Sequence, residues 1–97
     1  MKLYFEWDLV KNKQNQSKHK NSFENAATVF RDPNAITIPD LEHSEQEERW
    51  VTLGLSSKGI LLVVIHTFRT VSPSAAHVRI ISCRKADKTE IKEYNNR

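Results

Sequence analysis

From Arg49 to Ala86 the chain carries six cations, Arg49, Lys58, Arg69, Arg79, Arg84 and Lys85, and not one acid. A stretch that offers only cations to its surroundings suits a polyanion, because phosphate binding is dominated by neutralisation with lysine and arginine. Five acids, Asp40, Glu42, Glu45, Glu47 and Glu48, crowd immediately ahead of it. The triplet Glu47-Glu48-Arg49 therefore sets carboxylates at the mouth of a strand whose neighbours are cationic. Carboxylates so placed either form surface ion pairs, which contribute little, or handle protons, because a carboxylate facing a phosphate weakens ground-state binding and makes sense when it acts in the transition state. Arg79, between Val78 and Ile80, needs a partner or solvent on its own face of a strand. Strict alternation would put it on one side with Ile81 and Cys83.

Other chemistries find little support. His19, His43, His66 and His77 are widely spaced, with no His-x-x-x-His pair and no Cys-x-x-Cys, so no metal is expected. Cys83 sits in an apolar strand, where a cysteine behaves as a small hydrophobe. The only glycines are Gly54 and Gly59, which leaves no glycine-rich phosphate loop and no nucleotide cofactor to expect. A single cysteine makes no internal disulfide and points to a reducing cytoplasm. Glu6 and Asp8 interrupt the place where a secretory peptide needs an apolar core. The longest aliphatic run, Ile60 to Ile65, is six residues against the roughly 20 that span a bilayer.

The elements that must hold these groups fit one domain covering residues 1–97, with 38% hydrophobic and 28% charged residues. The net charge of +3 conceals a division: residues 1–48 carry six Lys/Arg against nine Asp/Glu, and residues 49–97 carry nine against three. Leu3 to Trp7 reads as a first strand. Asp8 offers an N-cap to a helix over Leu9 to Gln16, and Lys18 to Asn21 reads as a basic connection. Ser22 caps a second helix whose Phe23, Ala26, Ala27 and Phe30 form one apolar stripe, ended by Asp32-Pro33-Asn34. Ala35 to Ile38 is a short strand, and Asp40 to Glu48 a polar loop. Trp50 to Leu55 and Ile60 to His66 are strands joined by the turn Ser56-Ser57-Lys58-Gly59, the second buried on both faces because it lacks alternation. Val71 to Ala76 reads as a loop and His77 to Cys83 as a strand. Asp87 with Glu90 resembles a capping box before a terminal helix that shows Ile91 and Tyr94 on one face. The expectation is an α+β fold in which helices cover one face of an antiparallel sheet. Leu53, Leu62, Val64, Ile80, Phe23, Ala27 and Phe30 are expected to meet in one core.

The series Trp7-Asp8, Lys18-His19, Ser22-Phe23-Glu24-Asn25-Ala26, Val29-Phe30 and Asp32-Pro33 resembles the N-terminal half of the BrnT-type ribonuclease toxins. His43, Glu47-Glu48-Arg49, Gly54, Ser56, Gly59, Thr67-Phe68-Arg69, Arg79 to Ala86, Glu90 and Tyr94 extend the resemblance to about residue 94. Lys20 stands where that family usually has glycine, Cys83 replaces a common alanine, and Thr70 to Ala76 is longer than the usual turn. The resemblance implies a RelE-like fold, metal-independent RNA cleavage without a cofactor, and growth arrest. It further implies silencing by a BrnA-like ribbon-helix-helix antitoxin, two toxin chains meeting a dimeric antitoxin, and no membrane partner.

Metal-free cleavage needs a base for the 2′-hydroxyl proton, donors for the charge on the phosphorane, and an acid for the leaving oxygen. On that reading Glu48 is the base and Arg69, Arg79 and Arg84 clamp phosphate, arginine being suited to bidentate contacts. Lys18 and His19 position the substrate or transfer a proton, and Arg49 and Lys85 bind it. The competing reading is a non-catalytic nucleic-acid-binding or protein-binding module of a repressor complex.

Overall fold

The computed structural model describes residues 1–43 and 47–96; of the expected acidic loop, Ser44, Glu45 and Gln46 lie outside the described residues. The sheet is built around its longest strand, β6 (Ala75–Lys85). Along one edge of β6, residues 75–79 pair in parallel with β1 (Lys2–Glu6). Along the other edge, residues 75–77 pair antiparallel with β5 (Arg69–Ser72), and residues 80–85 with β4 (Leu61–His66). β3 (Trp50–Leu55) and β2 (Ile36–Pro39) continue the sheet beyond β4 in antiparallel fashion, giving the order β1-β6-β4-β3-β2 with β5 beside β6. The sheet is therefore mixed, which corrects the expected all-antiparallel arrangement. β1 reaches β6 across most of the chain, so no hairpin dictates its direction, and alternation carries no information about strand sense. The segment expected as a loop before His77 instead holds β5, a Pro73-Ser74 turn and the start of β6.

Three helices accompany the sheet among the described residues: α1 (Leu9–His19), α2 (Phe23–Ala27), running into a 3-10 turn at Thr28–Arg31, and α3 (Lys88–Asn95). The Asp8 carboxylate accepts from Val10 N and Lys11 N at 2.8 and 3.1 Å and so starts α1. The helix runs on through Lys18, whose positive end suits its C-terminal dipole, and His19, and stops where Lys20 turns left-handed at φ 59°. That conformation is one glycine adopts without strain and other residues rarely do. α1 has no apolar stripe; its buried residues are Asn12 and Asn15. Asn12 accepts from Phe23 N at 2.8 Å and donates to Glu24, while Asn15 accepts from Cys83 N at 3.1 Å and donates to the Asn21 carbonyl. Two amides one turn apart thus tie α1 to the start of α2 and to the edge of β6 that β1 leaves open beyond Arg79.

The main core lies between α2, the 3-10 turn and the sheet: Phe23, Ala26, Val29, Leu62, Val64, Val78, Ile80 and Cys83, with Ala27 and Phe30 packed against it. Gly54 permits the 3-10 turn to sit directly on β3, since a Cβ there would lie 3.1 Å from Val29 Cβ and 3.2 Å from the Val29 carbonyl. Leu53 is buried but pairs with Val63, out of phase with Thr52↔Val64, and so lies on the opposite face from this core. A bulge changes the phase of β6 as well. His66 pairs with Ile80 but Ile65 with Ser82, so Ile81 is an extra residue. Ala76, Val78 and Ile80 face the core before the bulge and Cys83 after it. Arg79 consequently points away from Cys83, which corrects the expectation from strict alternation. Burial raises the Cys83 thiol to a pKa of about 11, consistent with an inert core residue.

His66 is fully buried at the end of β4, edge-on to Phe30 with ring centres 4.8 Å apart. Its Nδ1 lies 3.0 Å from the Thr67 carbonyl, which only accepts, so Nδ1 carries the proton and Nε2 accepts from Thr52 Oγ1 at 2.7 Å. The Thr52 hydroxyl in turn accepts from Thr37 Oγ1 at 2.8 Å. Burial holds the imidazole below its ordinary pKa of 6.5, with the Thr67 carbonyl opposing the shift. The unfolded chain takes up a proton that the folded chain refuses, so His66 makes stability fall as pH drops below 6.5. Melting curves between about pH 7 and 5 should show Tm falling with pH, and His66→Asn, which removes the titrating ring, should flatten that slope whatever it does to Tm itself.

No helix among the described residues is long and apolar enough to cross a membrane.

Candidate active site

The face of β1, β6 and β5 turned away from α2 and the main core is where the charged residues converge. Cross-strand partners share a face, so the register sets Tyr4, His77 and Arg69 in one row and Glu6 beside Arg79 in the next. Just past the Arg79 row the chain leaves β4 and kinks into β5. Thr67 N donates to the Arg79 carbonyl at 2.9 Å, and Arg79 N donates to Thr67 Oγ1 at 3.3 Å, which pins the kink to β6. The buried His66 holds the Thr67 carbonyl from the other side. These bonds fix the backbone from which Arg69 and Arg79 project. His77 stacks on Tyr4, with ring centres 5.5 Å apart and planes 26° from parallel.

The result is an open cleft of about 270 Å³ lined by Glu6, Glu47, Glu48, Thr67, Phe68, Arg69, His77 and Arg79. Its two adjacent carboxylates are differently engaged. Glu47 Oε2 accepts a short hydrogen bond from Arg79 Nη2, and its Oε1 lies 3.6 Å from Arg49 Nε. The Arg79 hydrogen bond, aided by the charges of both arginines, lowers the Glu47 pKa against the opposing effect of desolvation. Glu47 is thus ionised at neutral pH and orients the Arg79 fork. Glu48 is exposed beside it and forms no ion pair among the described residues. A phosphate in the cleft would meet the remaining donors of Arg79, the Arg69 side chain, a free carboxylate and an imidazole.

Three of the residues assigned from sequence, Glu48, Arg69 and Arg79, therefore stand together, and the rest stand apart. Arg49 and Arg84 line a neighbouring depression with Val63, Ile65, Ile81 and Ser82. Arg84 is held there by Glu90 through two bonds of 2.8 and 2.9 Å; Glu90 also accepts from Asp87 N in the capping box of α3. Each partner stabilises the charge of the other, Arg84 being shifted up and Glu90 down chiefly by this mutual hydrogen bond. Lys18 and His19, at the end of α1, line a third depression that shares Ile81 and Ser82 with the second. Lys85 is exposed at the end of β6. Glu47 joins the cleft to Arg49, and Ile81 and Ser82 join Arg84 to Lys18, so the cations form a track leading away from the cleft. Among the described residues no group of His, Cys, Asp and Glu is gathered as metal ligands.

His77, Glu6 and Phe68 are cleft residues that the sequence reading did not assign. His77 was visible in sequence only as a histidine two residues before Arg79, with the same parity; that spacing places both on one face. Glu6 had no signal, because its place depends on the parallel pairing of β1.

Comparison with known proteins agrees with this architecture. The model of the family described as the ribonuclease toxin BrnT of type II toxin-antitoxin systems matches residues 7–90. Among solved structures, the chain is similar to the 1.1 Å crystal structure of the Brucella abortus ribonuclease toxin BrnT. The TM-score is 0.59 at 23% identity, over 91% of this chain and 100% of that one, which speaks for the fold. No curated protein sequence matches significantly.

Proposed function

The chain belongs to the BrnT family of ribonuclease toxins of type II toxin-antitoxin systems, and we propose that it cleaves RNA in the cleft of Glu48, Arg69, His77 and Arg79 without a metal ion. The observation that carries this reading is an uncommitted carboxylate, Glu48, on one open face with Arg69 and with Arg79, which Glu47 orients. Glu48 takes the proton of a ribose 2′-hydroxyl as that oxygen attacks the adjacent phosphorus. Arg79 and Arg69 stabilise the charge that builds on the non-bridging oxygens. His77 protonates the departing 5′-oxygen as the phosphorus–oxygen bond breaks. The products are a 2′,3′-cyclic phosphate and a 5′-hydroxyl. Arg49, Arg84, Lys18 and His19 lie outside the reacting centre and hold the strand along the cationic track, Arg84 exchanging or sharing its Glu90 contact with phosphate; Lys85, paired with the core residue Leu62, stands on the other face and off this track.

The antitoxin partner in this reading is a ribbon-helix-helix dimer that binds two toxin chains in the cytoplasm and covers the same basic face. Acids on such a partner would give electrostatic complementarity and fast association.

Expression of the chain alone should arrest growth and fragment cellular RNA. Binding of the purified chain to single-stranded RNA should weaken with salt, by a slope of about −0.7 in log K against log salt for each phosphate neutralised. RNA binding with this slope but no fragmentation would favour the non-catalytic module. A flat salt response would favour a face that meets only protein.

A further inference from the structure

The aromatic ring of Phe68 separates two depressions. On one side is the cleft with Arg69 and Arg79; on the other is a second pocket of about 320 Å³, lined by Thr37, Trp50, His66 and Phe68. Its imidazole and hydroxyl groups are already committed within the sheet. Both ring nitrogens of His66 are bonded, to Thr52 and to the Thr67 carbonyl, and the Thr37 hydroxyl is bonded to Thr52. The pocket therefore presents a methyl, an indole and a benzyl ring, with no charge. Phe68 is 39% exposed, a large price in solvated apolar surface for a residue at a sheet end. Among the described residues no strand covers this place, because β3 begins at the Trp50↔His66 pair and β5 turns away to β6.

We propose that this pocket is a nucleobase subsite, in which Phe68 and Trp50 receive one base of the strand whose phosphate lies on Arg79 and Arg69. The proposal rests on the reading of the cleft as an RNA site and adds where a base goes. The Phe68 ring shared by the two depressions is what selects the occupant. Thr67, Phe68 and Arg69 are consecutive at the kink between β4 and β5, and the Phe68 ring lines both depressions, so the two meet at one side chain. A nucleotide has the same division, a charged phosphate beside a flat ring that stacks on aromatic side chains. The bonds that hold Thr67 from both sides also fix Phe68 between the two sites.

The test compares a single-stranded oligodeoxynucleotide, uncleavable because it lacks 2′-hydroxyls, with an abasic strand of the same length and charge. The wild-type chain should bind the base-bearing strand about 5- to 100-fold more tightly, and only that strand should quench tryptophan fluorescence. Phe68→Ala should bind both strands as the wild type binds the abasic one; Phe68→Leu, which preserves bulk without the ring, should lose most of the preference as well. Equal binding of both strands by the wild type would overturn the subsite and leave the cleft standing. Binding of neither strand would overturn both. A Phe68→Ala chain that keeps its base preference but no longer binds its antitoxin would assign the pocket to the protein partner and overturn the proposal.

Discussion

Arg79→Ala is expected to abolish growth arrest and to lower RNA cleavage by about 100- to 1000-fold, the scale for removing a donor that stabilises transition-state charge. Two effects act together. The variant loses the guanidinium that faces the phosphate, and it leaves Glu47 without the hydrogen bond that chiefly keeps its pKa low. The cleft would then present Glu6, Glu47 and Glu48 to the substrate with Arg69 as the remaining lining arginine. Repulsion in the ground state adds to the lost stabilisation, so RNA binding should weaken along with the rate. Arg79→Lys should recover part of the binding and little of the rate, because an ammonium lacks the fork that can hold Glu47 and phosphate at once. Cleavage of labelled RNA and fluorescence anisotropy, run in parallel, separate the two quantities, and a melting curve confirms that each variant is folded. Unchanged cleavage by Arg79→Ala would remove the phosphate clamp from the mechanism.

Glu48→Gln should lower cleavage by about 100-fold or more, the smaller end of what a positioned general base contributes, while leaving RNA binding intact or tighter. Glutamine keeps the shape of the side chain and removes its charge and basicity, so a fall in rate with no loss of affinity marks a group that acts on the reaction rather than on binding. Glu47→Gln is the instructive comparison. Glu47 already accepts from Arg79, and its carboxylate, held low in pKa by that bond, is a poor acceptor for a substrate proton. Its substitution should act through the orientation of Arg79 and change binding and rate together. If Glu48→Gln retained full activity, proton removal would pass to Glu6 or His77, cleft groups that can take a proton and form no ion pair among the described residues.

Much of this arrangement was legible in the residues. The stripe of Phe23, Ala26, Ala27 and Phe30 marked the helical face of the core, and the unalternating run Ile60 to Ile65 marked a strand covered on both sides. The acid-free stretch after Arg49 marked the arginines of the cleft, though not that Glu6, Glu47 and Glu48 share it with them. What escaped has physical reasons. α1 buries Asn12 and Asn15 instead of an apolar stripe, so hydrophobic periodicity could not show which side of it meets the sheet. The bulge at Ile81 inverts the phase of β6, and a single inserted residue leaves no mark in a strand that is apolar on both faces. The parallel pairing of β1 brings Glu6 to Arg79 across 73 residues of chain, which no local pattern reports. Glu47 and Glu48, adjacent and identical in sequence terms, differ only once the fold sets Arg79 and Arg49 against the first of them.

The most direct measurement is the identity of the ends left on RNA cut by the purified chain in the presence of a chelator. Metal-independent attack by the 2′-hydroxyl predicts undiminished cleavage and fragments that carry a 2′,3′-cyclic phosphate and a 5′-hydroxyl, with the signal lost in Glu48→Gln and Arg79→Ala. Cleavage that stops on chelation, or fragments with a 3′-hydroxyl and a 5′-phosphate, would contradict it.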